Sequence, residues 1–270
     1  MPTSYGAIDL RIQVDNSSDV QTVNTLQGQF QLNTTTQTTR PRVAPRLTKF
    51  LLSRGFSGDR ATKLLQLTAR LSPFNPPEVA RDVSWVKATL ALAGLTRGFY
   101  TAPSSVDLSS AAKEANLTVS NVRHERANKN FRNLGNQWSQ LRAHLSGDFK
   151  SHYVVRAFVA AQGYLQLKAD QAIYPVFNVS SHLFANTTYN ITFHGKPQVD
   201  GFWSLTVYNS SAMLVNNTLN RYSLGDRSNI TYPNGSYVYG SQGTPPQSTA
   251  PFSLYLQTQD ITPPEGYYSK

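Results

Sequence analysis

The sequence predicts an α+β chain, a helical region followed by an antiparallel β-sandwich of jelly-roll type, and three observations carry that expectation. Apolar residues recur at helical spacing between residues 46 and 168. After Lys168 the spacing changes to period two, with apolar residues alternating with Asn, Ser and Thr. Turn-forming clusters, His194-Gly195-Lys196-Pro197, Asn209-Ser210-Ser211 and Pro233-Asn234-Gly235-Ser236, separate the alternating runs at hairpin intervals.

Residues 1–45 are rich in Thr, Gln, Asn and Ser and end in Arg40-Pro41-Arg42-Val43-Ala44-Pro45, the composition of a polar linker or the remnant of a preceding domain. A short helix is expected within them, from about Val20 to Phe30. In the helical region, residues 46–168, Leu64, Leu65, Leu67 and Leu71 follow Ser57-Gly58-Asp59, whose polar side chains suit a helix start, and Pro73 ends the run. A second helix opens near Pro76-Pro77-Glu78 and passes through Val83, Val86 and Leu90 to Gly94, with proline at its start and glycine after its end. Trp85 reads as part of its apolar face. A third helix covers Leu108 to about Asn121. The fourth, Tyr153 to Leu165, is mostly small and apolar and reads as buried, yet it contains Arg156. A buried guanidinium has to be paired, so a carboxylate partner, Asp170, is expected for it.

Residues 169–270 are expected to form the sandwich. Ile191 and Phe193, then Trp203, Leu205 and Val207, then Leu254 and Leu256 mark its clearest strands. A generous count gives seven, so a closed eight-strand jelly roll would lack its closing strand.

The chain of 270 residues has no cysteine, which excludes a disulfide scaffold, a thiolate metal site and a cysteine nucleophile. Ten of nineteen asparagines, Asn16, Asn33, Asn116, Asn178, Asn186, Asn190, Asn209, Asn216, Asn229 and Asn234, open an Asn-x-Ser/Thr sequon. That frequency points to N-glycosylation and a secreted or extracellular protein. Met1 to Gln13 holds no apolar core of a signal peptide, so either the start is abridged or the protein stays inside the cell. No run approaches the ~20 apolar residues of a membrane-spanning helix. The net charge of +10 lies in the first half: residues 1–150 carry 19 Lys/Arg against 10 Asp/Glu, residues 151–270 carry 6 against 5. Its densest stretches, Arg40 to Arg54 and Arg123 to Arg132, lack interleaved aromatic residues, so a solvated basic face is favoured over a nucleic-acid surface.

A family resemblance rests on Val199-Asp200-Gly201-Phe202-Trp203-Ser204-Leu205-Thr206-Val207-Tyr208, on Leu219-Asn220-Arg221-Tyr222-Ser223-Leu224-Gly225-Asp226-Arg227 and on Pro233-Asn234-Gly235-Ser236. Together with Arg156 and Asp170-Gln171-Ala172-Ile173-Tyr174-Pro175, these segments resemble the C-terminal part of the proteins catalogued as domain of unknown function 1254 with 1214. The earlier Asn75-Pro76-Pro77 and Trp85 look like its fungal branch. The resemblance implies a helical region before a jelly-roll-like sandwich, and secretion; it implies no particular activity. Members of the family continue past the Pro263-Pro264 region with a Trp-Leu-Pro-Ala-Pro segment and a closing strand, and begin with a further domain. Both ends are therefore expected to be abridged.

No G-x-S-x-G elbow, P-loop, G-x-G-x-x-G or H-E-x-x-H motif occurs. The five histidines, His124, His144, His152, His182 and His194, form no H-x-H or H-x3-H pair, so neither a metal nor a cofactor is expected. Arg221 and Arg227 offer bidentate donors for a carboxylate or phosphate, and Tyr208 and Tyr222 offer ring faces. With Asn220 they make the expected site for a carbohydrate or small polar or anionic ligand. Asp200 and Asp226 are the alternative, an acid/base pair of a hydrolase or lyase, against a favoured structural reading in which Asp226 caps or pairs with Arg221 or Arg227 as Asp170 neutralises Arg156. A third reading is a partner-dependent or inactive fragment; oligomeric state is left open.

Overall fold

The computed structural model describes residues 5, 10, 12, 14, 18–33, 44–53, 55–124, 129–163, 165–177, 191–193, 201–208, 212–217, 222–225, 228, 237–239 and 253–259. It divides into two compact units, residues 1–112 and 113–270. Mixed helices and antiparallel strands make the chain α+β.

In the first unit, α1 (Val20–Gln29) buries Val23, and α2 (Lys49–Ser53) is capped by the Thr48 hydroxyl, which accepts from the Leu51 amide at 3.1 Å. Helix α3 (Arg60–Leu71) starts where expected. The carboxylate of Asp59 accepts from the Thr62 amide at 2.7 Å, and the amide and hydroxyl of Thr62 hold this carboxyl below its usual 3.8. Forty residues apart in sequence, the Tyr5 hydroxyl donates to Pro45 O at 2.6 Å; burial pushes its pKa up, opposed by the charge of Arg70.

Helix α4 (Val83–Leu92) follows a 3-10 turn, Ala80–Asp82. Its half-buried positions are Val86 and Leu90, one turn apart, with Asp82 a turn before them. Trp85 lies a quarter turn off that stripe and is 59% exposed, which corrects its reading as core. Gly94, at φ +82°, ends the segment, and a Cβ there would fall on the Thr101 carbonyl oxygen. Only glycine fits. The chain then forms a hairpin, β1 (Leu95–Thr96) and β2 (Phe99–Tyr100), closed by Arg97 and Gly98, both at positive φ.

Helix α5 (Leu108–His124) begins at Asp107, whose carboxylate accepts from the Ser110 hydroxyl at 2.6 Å and the Ser109 amide at 3.0 Å; these bonds, in that order, lower its pKa.

In the second unit, β3 (Phe131–Gly135) and β4 (Trp138–Leu141) form a hairpin through Asn136 and Gln137 at positive φ. The hairpin lies inside residues 46–168, where the sequence reads as a helical region. A 3-10 turn, Ala143–Leu145, leads towards α6 (Tyr153–Gly163). Val155, Phe158 and Val159 form the buried stripe of α6 and pack with Val122, Phe131, Leu141 and Leu145. The Phe131 and Phe158 rings meet edge to face at 6.0 Å. Helix α6 is thus buried on one side only. Arg156 sits on the other side, exposed to water, so the partner demanded by a buried charge is not needed; Asp170 is exposed as well, and no ion pair joins the two among the described residues.

Among the described residues the main sheet has seven antiparallel strands in the order β3, β4, β6 (Val176–Phe177), β11 (Ser253–Gln259), β8 (Phe202–Tyr208), β9 (Ser223–Gly225), with β5 (Ala172–Ile173) also paired to β11. Strands β5 (Ala172–Ile173) and β6 (Val176–Phe177) flank Tyr174-Pro175, where proline has no amide to donate to a ladder. Strand β7 (Ile191–Phe193) pairs with β10 (Tyr237–Tyr239) in a separate two-stranded sheet. Strand β8 (Phe202–Tyr208) is matched along its whole length by β11 (Ser253–Gln259), from Phe202↔Gln259 to Tyr208↔Ser253. Strand β9 (Ser223–Gly225) takes the other edge of β8. The main sheet therefore draws β3 and β4 from before residue 169, and its described strands run open from β3 to β9.

Candidate functional site

Strand β8 sets the geometry of the region around Tyr222. Its alternation sends Trp203, 1% exposed, and Leu205 into the interior, while Ser204, Thr206 and Tyr208 are half-buried. Trp203 is therefore core.

Because β11 covers one edge of β8 throughout, everything else bonded to β8 lies on the opposite edge. Strand β9 occupies that edge at Ser204–Thr206, with Ser204↔Gly225, Leu205↔Leu224 and Thr206↔Ser223 in register. Beyond it, Tyr208 bridges to Leu214, and the Val215 amide donates to Val207 O at 3.1 Å. Two separate segments, 214–215 and 223–225, thus share one edge. Their junction brings Asn216 and Tyr222 together: the Tyr222 hydroxyl donates to Asn216 Oδ1 at 3.1 Å, with the Tyr222 side chain 40% exposed. A tyrosine fixed at its hydroxyl end keeps its ring face available as a platform.

Gly225 is the tight point of the arrangement. An ideal Cβ on it would lie 2.2 Å from the Trp203 carbonyl oxygen. The Ser228 amide donates to Gly225 O at 3.0 Å and the Gly225 amide donates to Ser228 Oγ at 3.0 Å, closing the chain back on itself across two intervening residues, Asp226 and Arg227 in sequence.

Of the residues singled out from sequence, Tyr208 and Tyr222 fall on this edge. Asn220, Arg221, Asp226, Arg227 and Asp200 lie outside the described residues. Among the sequons, Asn33, Asn116 and Asn216 are described, and all three are exposed. Asn16, Asn178, Asn186, Asn190, Asn209, Asn229 and Asn234 lie outside the described residues, as do the turns expected at 194–197, 209–211 and 233–236.

Folding also joins two residues that spacing along the chain kept apart. His144, in the 3-10 turn after β4, and His152, just before α6, place their ring centroids 6.2 Å apart at 64°. Eight residues apart, they would stand about 12 Å from each other on one helix and about 26 Å on one strand, so sequence offers no signal for the pair.

The class this defines is an α+β protein whose antiparallel sheet carries a polar edge beside a buried tryptophan strand. Residues 172–261 match the model of a family described as "Protein of unknown function (DUF1214)". The matched stretch begins at β5 and ends just past β11, so it takes in the whole polar edge but not β3 and β4. No curated protein matches the chain. Among solved structures it is similar to the VPA0106 protein from Vibrio parahaemolyticus, with 16% identity and a TM-score of 0.43 over 90% of this chain. The chain spans 61% of that protein's length. Among the described residues, no helix is long and apolar enough to cross a membrane.

Proposed function

We propose that the chain is a secreted, N-glycosylated module that binds a carbohydrate or small anionic ligand at the β8/β9 edge. The observation that supports it is the Tyr222 ring, exposed at the edge and tethered through its hydroxyl to Asn216 Oδ1. Its sequence neighbours supply the complementary chemistry. Arg221 and Arg227 are bidentate donors for a carboxylate or phosphate, and Asn220 adds an amide. Tyr208, at the end of β8, is the second ring on the same edge. On this reading the β7–β10 pair belongs to the second layer of a jelly-roll-like sandwich, and the chain groups with fungal secreted members of the combined 1254/1214 family.

The test is a binding screen with neutral sugars, sugar acids and small organic acids, read by nuclear magnetic resonance on the parent chain and on Arg221→Ala, Tyr222→Ala and Asp226→Ala. The expected result is a ligand whose binding weakens in Arg221→Ala and Tyr222→Ala while the fold is kept. A set of folded variants that bind every probe as the parent does would overturn it.

A further inference from the structure

We propose that His144 and His152 form a two-histidine site for a divalent first-row metal ion, with Cu2+ bound more tightly than Ni2+ or Zn2+. The two backbones are anchored from below by the core. Leu145, 2% exposed, follows His144 directly, and the buried Ser146 donates its hydroxyl to Arg142 O at 3.2 Å and to Leu141 O at 3.4 Å. Gly147, at φ +69°, packs against the backbone of Leu167 so closely that a Cβ would lie 2.5 Å from its carbonyl carbon. The His152 amide donates to Phe149 O at 2.7 Å, and its carbonyl accepts from the Arg156 amide at 3.0 Å in the first turn of α6. Three residues on, Val155 is in the core.

Both imidazoles are nevertheless exposed. That combination, fixed backbone and free ring, suits a ligand pair. A ring nitrogen lies ~1.1 Å from its centroid and a metal–nitrogen bond is ~2.0–2.1 Å, so one ion shared by two imidazoles holds their centroids ~5–6 Å apart. The observed 6.2 Å is close to the ~6.3 Å that the same lengths give for two imidazoles trans on one ion. Trans imidazoles are at home on square-planar or tetragonal Cu2+ and Ni2+, and a small rotation about χ1 closes the pair for tetrahedral Zn2+.

Local charge does not oppose a cation as strongly as the lysines alone suggest. Lys150 and Lys168 both reach Asp148 Oδ2, at 3.1 Å and 3.7 Å, in the segment that joins the two histidines. No third His, Asp or Glu completes a cluster among the described residues. The remaining coordination positions belong to water or to a ligand carried by the metal.

The experiment is titration of the full chain with CuCl2, NiCl2 and ZnCl2 by calorimetry, repeated on His144→Asn, His152→Asn and, as a control, His194→Asn. One ion per chain is expected. Each of the first two substitutions should weaken binding about tenfold or more, because two joined ligands act at high effective concentration and one does not. His194→Asn should match the parent. Equal binding by all four proteins, or no uptake by the parent, overturns the proposal. Should a variant fail to fold, the parent alone decides: Zn2+ must protect His144 and His152 together from diethyl pyrocarbonate, and protection of neither, or of only one, refutes the pair.

Discussion

Gly225→Ala is the sharpest test of how the polar edge is held. The added Cβ would stand 2.2 Å from the Trp203 carbonyl oxygen, 1.2 Å inside the 3.4 Å at which ordinary contact begins. The obstacle is backbone near the start of β8, so it cannot rotate away as a side chain would. Strand β9 must shift off β8 instead. Overpacking of this kind costs about 1–3 kcal/mol, and the bond from the Gly225 amide to Ser228 Oγ, lost if the strand shifts, adds about 1 kcal/mol. Alanine returns about 0.4–1 kcal/mol by restricting the unfolded chain. The net loss is about 2 kcal/mol, which for a unit of this size lowers Tm by about 4–8 °C. Thermal unfolding followed by circular dichroism measures the total, and amide exchange at Ser223–Gly225 tells local release of β9 from global destabilisation. A variant with the parent's Tm and the parent's exchange in β9 would show that Gly225 is not pinned against Trp203, and the placement of Tyr222 argued from it would fall.

Three other outcomes follow from the packing. Trp203→Ala removes a nearly fully buried ring from β8 and should cost about 3–5 kcal/mol in a urea titration. Arg97→Asn places an Asn-Gly pair at the two positive-φ positions of the β1–β2 hairpin and should stabilise the chain by about 0.5–1 kcal/mol, seen as a higher Tm. Asp59 has a folded-state pKa below its unfolded value, so its contribution is present above the usual 3.8 and is lost as pH falls through the lowered value. Acid titration of helical signal should show that loss below about pH 4, and Asp59→Asn should flatten this part of the curve because its amide does not titrate.

Much of the helical fold was legible because local chemistry decides it. Asp59 caps α3 with its own carboxylate, and Gly94 stands after α4 at a φ that side chains resist. The faces of the helices were less legible. Helix α6 is apolar nearly all round, which reads as burial, but its packed stripe is only Val155, Phe158 and Val159, and Arg156 is one step, or about 100°, away from it. Trp85 fails for the same reason. The short hairpins were hidden differently. Strands β1 and β2 have two residues each, too few for period two to register, and their loop begins with Arg97, which is no turn former. The β3–β4 hairpin did leave a trace, Gly135-Asn136 before Trp138, outweighed by the helical spacing on either side.

The two sites differ in what made them visible. The β8/β9 edge announces itself in the sequence, since Trp203 and Leu205 alternate with polar residues and Asn220 to Arg227 concentrates charge beside a glycine. Its tether does not, because Asn216 and Tyr222 meet only when segments 214–215 and 223–225 both turn back onto the single edge of β8 left open by β11. The histidine pair has no sequence signature at all. Its rings meet because Leu145 and Val155 are drawn into one core while Gly147 and Lys150, both at positive φ, reverse the chain between them. Moving either core anchor should therefore open the pair. Leu145→Ala, which should cost about 2–5 kcal/mol, is expected to weaken metal binding although it removes no ligand. Where the variant remains folded, unchanged metal affinity would mean that the rings find each other without the core's help.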